Sequence, residues 1–111
     1  MRKHKYILPI FGHEYEIWIV TDKEEATKTV PQWREDCNGK MLVCNRMPIL
    51  VIMENSEYRA IVHECEHLKN YILSDVGVNP DYDNDETDAY VIAHLFQRVI
   101  DFKENKKSPR N

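Results

Sequence analysis

The chain has 111 residues, of which 42% are hydrophobic and 31% are charged. This length supports one hydrophobic core, and the composition is that of a folded globular protein rather than of a disordered chain. The formal net charge of −4 at pH 7 argues against non-specific binding to nucleic acids, which depends on clustered lysine and arginine. No apolar run approaches the roughly 20 residues that cross a bilayer, so we expect no membrane span.

The cysteines and the N-terminal residues bear on the cellular compartment. Cys37, Cys44 and Cys65 are an odd number, which does not fit a framework of paired disulfides. The basic start leads into a short apolar run that Pro9 and Gly12 interrupt, without the small residues of a signal-peptide cleavage site. We therefore expect reduced thiols and a cytoplasmic protein.

The first predicted elements are a β-hairpin and a short helix. Tyr6–Ile10 and Tyr15–Thr21 are rich in β-branched and aromatic residues, and residues 11–14 can reverse the chain between them. A polar run then follows Asp22, which is a good helix N-cap. This run predicts a helix that ends before Pro31.

A second pair of strands is predicted in the middle of the chain. Residues 37–40 contain an Asn-Gly turn signal, which separates residues 33–36 from the apolar segment Met41–Cys44. A further turn near residues 45–48 leads into a strand over Ile49–Met53. The pattern indicates a second hairpin, or at least two neighbouring strands.

Two long helices are predicted in the C-terminal half. The first runs from about Glu57 to Asp75, with Ser56 or Asn55 as its cap and Gly77 as its stop. After a polar loop, apolar residues from Ala89 onward recur at helical spacing as far as about residue 104.

This order of elements predicts the fold class and the domain organisation. We expect an α+β fold, in which a small antiparallel or mixed sheet from the N-terminal half packs on the two long C-terminal helices. Residues 1–104 are predicted to form a single domain, and residues 105–111 to form a flexible C-terminal tail.

The sequence His63-Glu64-Cys65-Glu66-His67 carries the clearest chemical signal. On a helix, His63 and His67 differ by about 40° in direction, so both imidazoles can bind one metal ion. Glu64 lies next to them, where its carboxylate can act as a general base toward a water molecule whose pKa the metal lowers. Cys65 points away from His67 and is predicted to be a small buried side chain.

Residues 61–68, Ile-Val-His-Glu-Cys-Glu-His-Leu, resemble the active helix of the zincin metallopeptidases. The layout over roughly residues 49–101 resembles a minimal gluzincin, similar to the small peptidase-like proteins of phages and mobile elements. The resemblance implies a zincin-like fold, Zn²⁺ as cofactor, and hydrolysis of a peptide or protein substrate. His63 and His67 are then zinc ligands and Glu64 the general base.

The resemblance also implies a third zinc ligand. Gluzincins take a glutamate from the next helix, and Glu86 stands about twenty residues beyond His67. Asp83 and Glu86 also fit a capping box. In this alternative, the Glu86 carboxylate accepts hydrogen bonds from backbone N–H groups and does not bind zinc. Where the family pattern has an aspartate that supports a metal-bound histidine, this chain has Tyr90, so Asp85 or Asp88 would take that role.

Tyr90 is the predicted residue for stabilising the oxyanion of the reaction, with His94 as the other candidate on the same helix. The competing interpretation places Tyr90 and Ala93 on the buried face of that helix as ordinary core residues. The metzincin pattern does not fit, because Asn70 and Leu73 stand where it has a glycine and a third histidine.

Two further functions stay open at the level of the sequence. Cys37 and Cys44 could join the two histidines in a closed structural zinc site, which has no position for water. Alternatively, a zincin scaffold could bind a partner without cleaving it. By analogy with zincins, a peptide substrate would bind in extended form along the segment 41–53.

Overall fold

The computed structural model describes residues 1–34, 36–78 and 85–104. The predicted tail at residues 105–111 and most of the predicted loop at residues 78–84 lie outside these residues. The fold is α+β, as the sequence predicts, with four strands and three helices in the described ranges. In chain order the elements are β1 (Arg2–Leu8), β2 (His13–Val20), α1 (Lys23–Thr29), β3 (Gly39–Cys44), β4 (Met47–Met53), α2 (Tyr58–Asp75) and α3 (Asp85–Lys103).

The four strands form one mixed sheet in the order β1-β2-β4-β3. β1 pairs with β2 and β3 pairs with β4 in antiparallel fashion, whereas the central pair β2 and β4 is parallel. Residues 48–52 of β4 are all buried, because this central strand is covered on both faces. β1 and β3 are left as the two edges of the sheet within the described part of the chain.

The helices cover both faces of the sheet. α2 and α3 pack on one face and form the main core with the side chains of β1, β2 and β4 that face them. α1 covers part of the other face, where Ala26 and Val30 pack against Val51 and the half-buried Trp18 and Trp33. None of the helices in the described ranges is long and apolar enough to span a membrane. The main core is built from Leu8, Tyr15, Ile17, Ile19, Leu50, Ile52, Ile61, Cys65, Leu68, Ile72, Leu73, Val91, Leu95 and Val99.

Both strand pairs differ in detail from the predicted hairpins. β1 begins at Arg2 rather than at Tyr6, because Arg2 pairs with Ile19 and an edge strand tolerates polar side chains. The β3–β4 turn has positive φ angles at Asn45 and Arg46, 51° and 69°. The Asn-Gly pair does not form a hairpin turn, since Gly39 is the first residue of β3.

The two ends of α2 confirm one prediction and correct another. Neither Ser56 nor Asn55 is the N-cap: that position belongs to Glu57, whose side chain makes no capping hydrogen bond. The Ser56 hydroxyl instead accepts a hydrogen bond from the Met53 backbone N–H at 3.0 Å. The predicted stop at Gly77 is confirmed by its φ of 79° and by the hydrogen bond from Val78 N–H to the Leu73 carbonyl at 2.8 Å.

The buried face of α3 agrees with the sequence interpretation only in part. Leu95 and Val99, which belong to the apolar residues at helical spacing, are fully buried together with Val91, whereas Tyr90 and Ala93 are exposed. The interpretation of Tyr90 and Ala93 as core residues is wrong because apolar residues occur on several sides of this helix, so periodicity alone does not show which side meets α2 and the sheet. The proposed cap Asp83 lies outside the described residues.

Contacts at its two ends hold α2 in place relative to the rest of the fold. At its C-terminal end, the Asp75 carboxylate lies 2.9 Å from His13 Nε2 and 3.8 Å from the guanidinium of Arg46. At its N-terminal end, the Tyr58 hydroxyl donates to the Glu104 carboxylate at 2.9 Å. The helix that carries the candidate site is therefore tied to two strand turns and to the end of α3.

Candidate metal centre

His63 and His67 lie on the outer side of α2, opposite the buried stripe that faces the core. Their Nε2 atoms are 3.2 Å apart, and their ring centroids are 4.8 Å apart with the ring planes at 83°. Two imidazole nitrogens that each lie about 2.0–2.1 Å from one tetrahedral zinc ion are separated by roughly 3.3 Å. The pair therefore fits a shared zinc ion, although this distance also suits a hydrogen bond between the two rings.

Glu64 lies between this histidine pair and the sheet. The carboxyl group is half-buried, and its side chain packs against Gly39 at the start of β3. Burial raises the pKa of Glu64 above its ordinary value, while the charges of His63 and His67 act in the opposite direction. The residue next to the histidine pair thus carries a carboxyl group that is partly shielded from solvent.

A cleft of about 620 Å³ opens beside Glu64. The first turns of α2 and the residues after β4 form part of its wall, and the start of β3 with the residues before it forms the rest. His63 and Glu64 both line this cleft, whereas Tyr90 does not. Its described lining is Asp36, Cys37, Asn38, Gly39, Met53, Asn55, Ser56, Glu57, Arg59, Ala60, His63 and Glu64.

The predicted third ligand, Glu86, is exposed on the first turn of α3. Asp88 on the same helix points toward α2, where its carboxylate lies 2.5 Å from Lys69 Nζ. Residues two apart on a helix point about 160° away from each other, so Glu86 is directed away from this contact. Within the described ranges, the structure gathers no group of three His, Cys, Asp or Glu side chains that could hold a metal ion.

Lys69 is a buried charge that the sequence did not reveal. Lysine side chains are rarely buried, but this one is only 5% exposed. Its ammonium group contacts the carboxylates of Glu66 and Asp88, each at 2.5 Å. Desolvation lowers the pKa of Lys69, but the hydrogen bonds that its ammonium group donates to these two carboxylates, together with their charges, outweigh it and leave the pKa raised. Asp88 is thus paired with Lys69 and not with a histidine of the site.

Tyr90 lies on the outer face of α3 and is 46% exposed. Its ring is stacked near His94, with 6.3 Å between the ring centroids. His94 is half-buried, and both burial and the nearby Arg98 lower its pKa. The described geometry thus places neither candidate for oxyanion stabilisation on the wall of the cleft.

The three cysteines have different surroundings, and none forms a disulfide. Cys65 is buried, as predicted, and burial raises the pKa of its thiol to about 12. Cys37 lines the cleft, whereas Cys44 is exposed at the far end of β3. A strand rises about 3.3 Å per residue, so Cys44 lies roughly 17 Å along β3 from Gly39. This separation argues against a closed site made of Cys37, Cys44 and the two histidines.

No protein-family model, curated protein or solved structure matches this chain. Its function therefore has to be derived from the site itself. The features available are the converging pair His63 and His67, the half-buried Glu64, and the cleft beside them.

Proposed function

We propose that the chain is a zinc-dependent metallopeptidase with a zincin-like fold, in which α2 is the active helix and a peptide or protein is the substrate. The observation that supports this most strongly is the 3.2 Å separation of the Nε2 atoms of His63 and His67, which suits two ligands of one zinc ion. A bound zinc ion would supply Lewis acidity, which polarises the scissile carbonyl and lowers the pKa of water.

Glu64 is the proposed general base. Its carboxylate takes a proton from the attacking water and returns it to the leaving amine. Partial burial raises the pKa of this group above its ordinary value, which is the direction that favours a general acid and base near neutral pH.

Glu86 is the proposed third ligand, on the strength of the gluzincin resemblance. In the described structure its side chain is exposed on the outer side of α3. Binding to the same zinc ion as His63 and His67 would therefore require the first turn of α3 to turn toward the outer side of α2. Tyr90 is the proposed oxyanion-stabilising residue on the same helix, and the same movement would be needed to bring its hydroxyl to the site.

An extended peptide is the proposed form of the substrate. β3 is an edge strand, so the backbone groups on its outer side have no strand partner within the described part of the chain. Such an edge can bind an extended peptide through main-chain hydrogen bonds. Gly39 at the start of β3 lines the cleft together with His63 and Glu64, so a peptide along β3 would run past the proposed catalytic groups.

A zinc-containing protein without hydrolytic activity is the alternative. The presence of Cys37 on the wall of the same cleft as His63 favours this version, because a thiolate is a good zinc ligand. Replacing Cys37 by serine should abolish zinc binding if its thiolate completes a structural site with the two histidines. The free cysteines also support our inference of a reducing, cytoplasmic location.

The test of the proposed function is the Glu64→Gln variant, measured for zinc content and for hydrolysis of a broad peptide library. We expect one zinc ion per chain in both the wild type and the variant, and a rate that falls by roughly 100-fold or more in the variant. Glu24→Gln is the matched control, because Glu24 is an exposed carboxylate outside the cleft. A Glu64→Gln protein with full activity would contradict the proposal.

A further inference from the structure

We propose that Gly39 is a positioning residue for Glu64, because the missing side chain at the start of β3 leaves the space that the Glu64 side chain occupies. This inference rests on the proposed function, in which Glu64 is the general base. It concerns a residue that is neither a metal ligand nor a group that reacts.

The evidence is the close approach of the two residues. A Cβ atom at position 39 would lie 2.6 Å from Glu64 Cγ, 3.1 Å from Glu64 Cδ and 3.1 Å from the Val51 carbonyl oxygen. Real Cβ atoms essentially never approach another heavy atom to within 3.0 Å. Any side chain at position 39 would therefore displace one of its neighbours.

Glu64 is the neighbour that would move. The Val51 carbonyl belongs to the central strand β4, and Gly39 itself is paired with Ile52 of that strand. Both backbones are therefore held by the sheet. The Glu64 side chain has rotatable bonds and an open cleft beside it. An added methyl group would push the carboxyl group out of its half-buried position.

Backbone conformation does not explain this glycine. Gly12 and Gly77 have φ angles of 64° and 79°, in the left-handed region that favours glycine, and a Cβ on either would meet nothing within 4 Å. Gly39 does not have a positive φ, so alanine fits its backbone. Among the described residues, the atoms nearest to a Cβ at position 39 belong to the Glu64 side chain and to the Val51 carbonyl.

The contact between Gly39 and Glu64 links the proposed general base to the proposed substrate-binding strand. Gly39 is the first residue of the edge strand along which we propose that the peptide binds. The general base therefore rests directly on the strand that would hold the substrate. This contact sets the position of the carboxyl group relative to a peptide bound along β3, and small errors in such positions are costly to the rate.

The first test is the kinetics of Gly39→Ala. We expect kcat to fall roughly 10- to 100-fold with little change in KM, because the base is displaced while the edge of β3 is kept. Zinc content should stay the same, since neither histidine moves. Ile7→Ala, at an exposed position of the opposite edge strand β1, is the control and should keep full activity. Unchanged kcat in Gly39→Ala would overturn the inference.

The second test needs no activity and is a double-mutant cycle on thermal stability. Gly39→Ala should lower the unfolding midpoint in the wild-type background, and much less in a Glu64→Ala background, where the clashing Cγ is absent. If Gly39→Ala fails to fold alone, the double variant should still fold. An equal loss in both backgrounds, or a double variant that stays unfolded, would overturn the inference. A wild-type chain that hydrolyses no peptide would instead contradict the proposed function.

Discussion

At the scale of single residues, sequence spacing determines that the imidazoles of His63 and His67 converge. The environment of the Glu64 carboxyl group is determined by the residues packed around it. His63 and His67 converge because they stand four positions apart on one helix, which needs no information about the rest of the fold. The environment of Glu64 depends on Gly39, which is distant in the sequence. Gly39 contacts Glu64 of α2 because it lies in the sheet that packs beside this helix. The geometry of the histidine pair thus depends on local sequence, whereas the environment of the proposed base depends on tertiary contacts.

The role of Glu86 as third zinc ligand can be tested by its substitution. We expect Glu86→Ala to weaken zinc binding by more than about tenfold, or about 1.4 kcal/mol, because it removes one of three proposed ligands. Titration of the apoprotein with zinc, in competition with a chelator, measures this change. Gln97→Ala, on the same exposed side of α3, is the control.

The same zinc titration of a variant without Cys37 and Cys44 distinguishes the two proposed zinc sites. Replacing Cys37 and Cys44 by serine should leave zinc affinity unchanged if the site is made of His63, His67 and Glu86. Unchanged affinity in Glu86→Ala together with loss of zinc in the cysteine variant would show that the gluzincin ligand set is wrong and that a structural site is present.

At the scale of elements, the contact between α2 and α3 depends on a charge that is buried between them. Lys69 on α2 is buried and contacts the carboxylates of Glu66 and Asp88. A buried ammonium group is stable only when it is paired, so this contact favours the rotation of α3 that turns Asp88 toward α2. The same contact directs Asp88 inward and leaves Glu86 on the outside.

Asp88→Asn tests the contribution of this pair. We expect the free energy of unfolding to fall by about 1–3 kcal/mol, because Lys69 stays buried with one charged partner fewer. Urea denaturation measures the change. Glu24→Gln, in the exposed pair with Lys28, is the control and should change stability by no more than about 0.5 kcal/mol. Equal effects in the two variants would contradict the assigned role of the buried pair.

At the scale of the whole molecule, zinc binding and folding are expected to be linked. His63 and His67 converge only when α2 is formed, and the proposed third ligand comes from a different helix. We therefore expect zinc to bind the folded chain more tightly than the unfolded one. A ligand that binds the folded state alone stabilises it by about 2.7 kcal/mol when its free concentration is 100 times Kd. For a domain of this size, that corresponds to a rise of roughly 10 °C in Tm.

Thermal unfolding with added zinc and with a chelator measures this linkage. We expect zinc to raise the Tm and the chelator to lower it to the value of the apoprotein. The double variant with His63→Ala and His67→Ala should show no response to zinc. A Tm that responds equally in the wild type and in this variant would indicate that the histidine pair is not the binding site.

The features that the sequence predicts correctly are those that neighbouring residues decide. Asp22 caps α1 by accepting a hydrogen bond from the Glu25 N–H at 2.9 Å, and Gly77 ends α2 with a positive φ. The α+β class follows from alternating apolar residues early in the chain and helical spacing later. The pairing of His63 and His67 belongs to the same group, because helix geometry alone determines it.

Other features are decided only when distant segments pack together. Lys69 is buried because Asp88 meets it from another helix, and Tyr90 is exposed because α3 turns Val91, Leu95 and Val99 toward the core. Each depends on free energies of burial and pairing that exist only between segments far apart in sequence. For this chain, the sequence by itself determined a helix with two converging histidines and an adjacent carboxylate. Only the tertiary structure decided that this carboxylate rests on Gly39 beside a cleft, and that α3 faces α2 with Asp88 rather than Glu86.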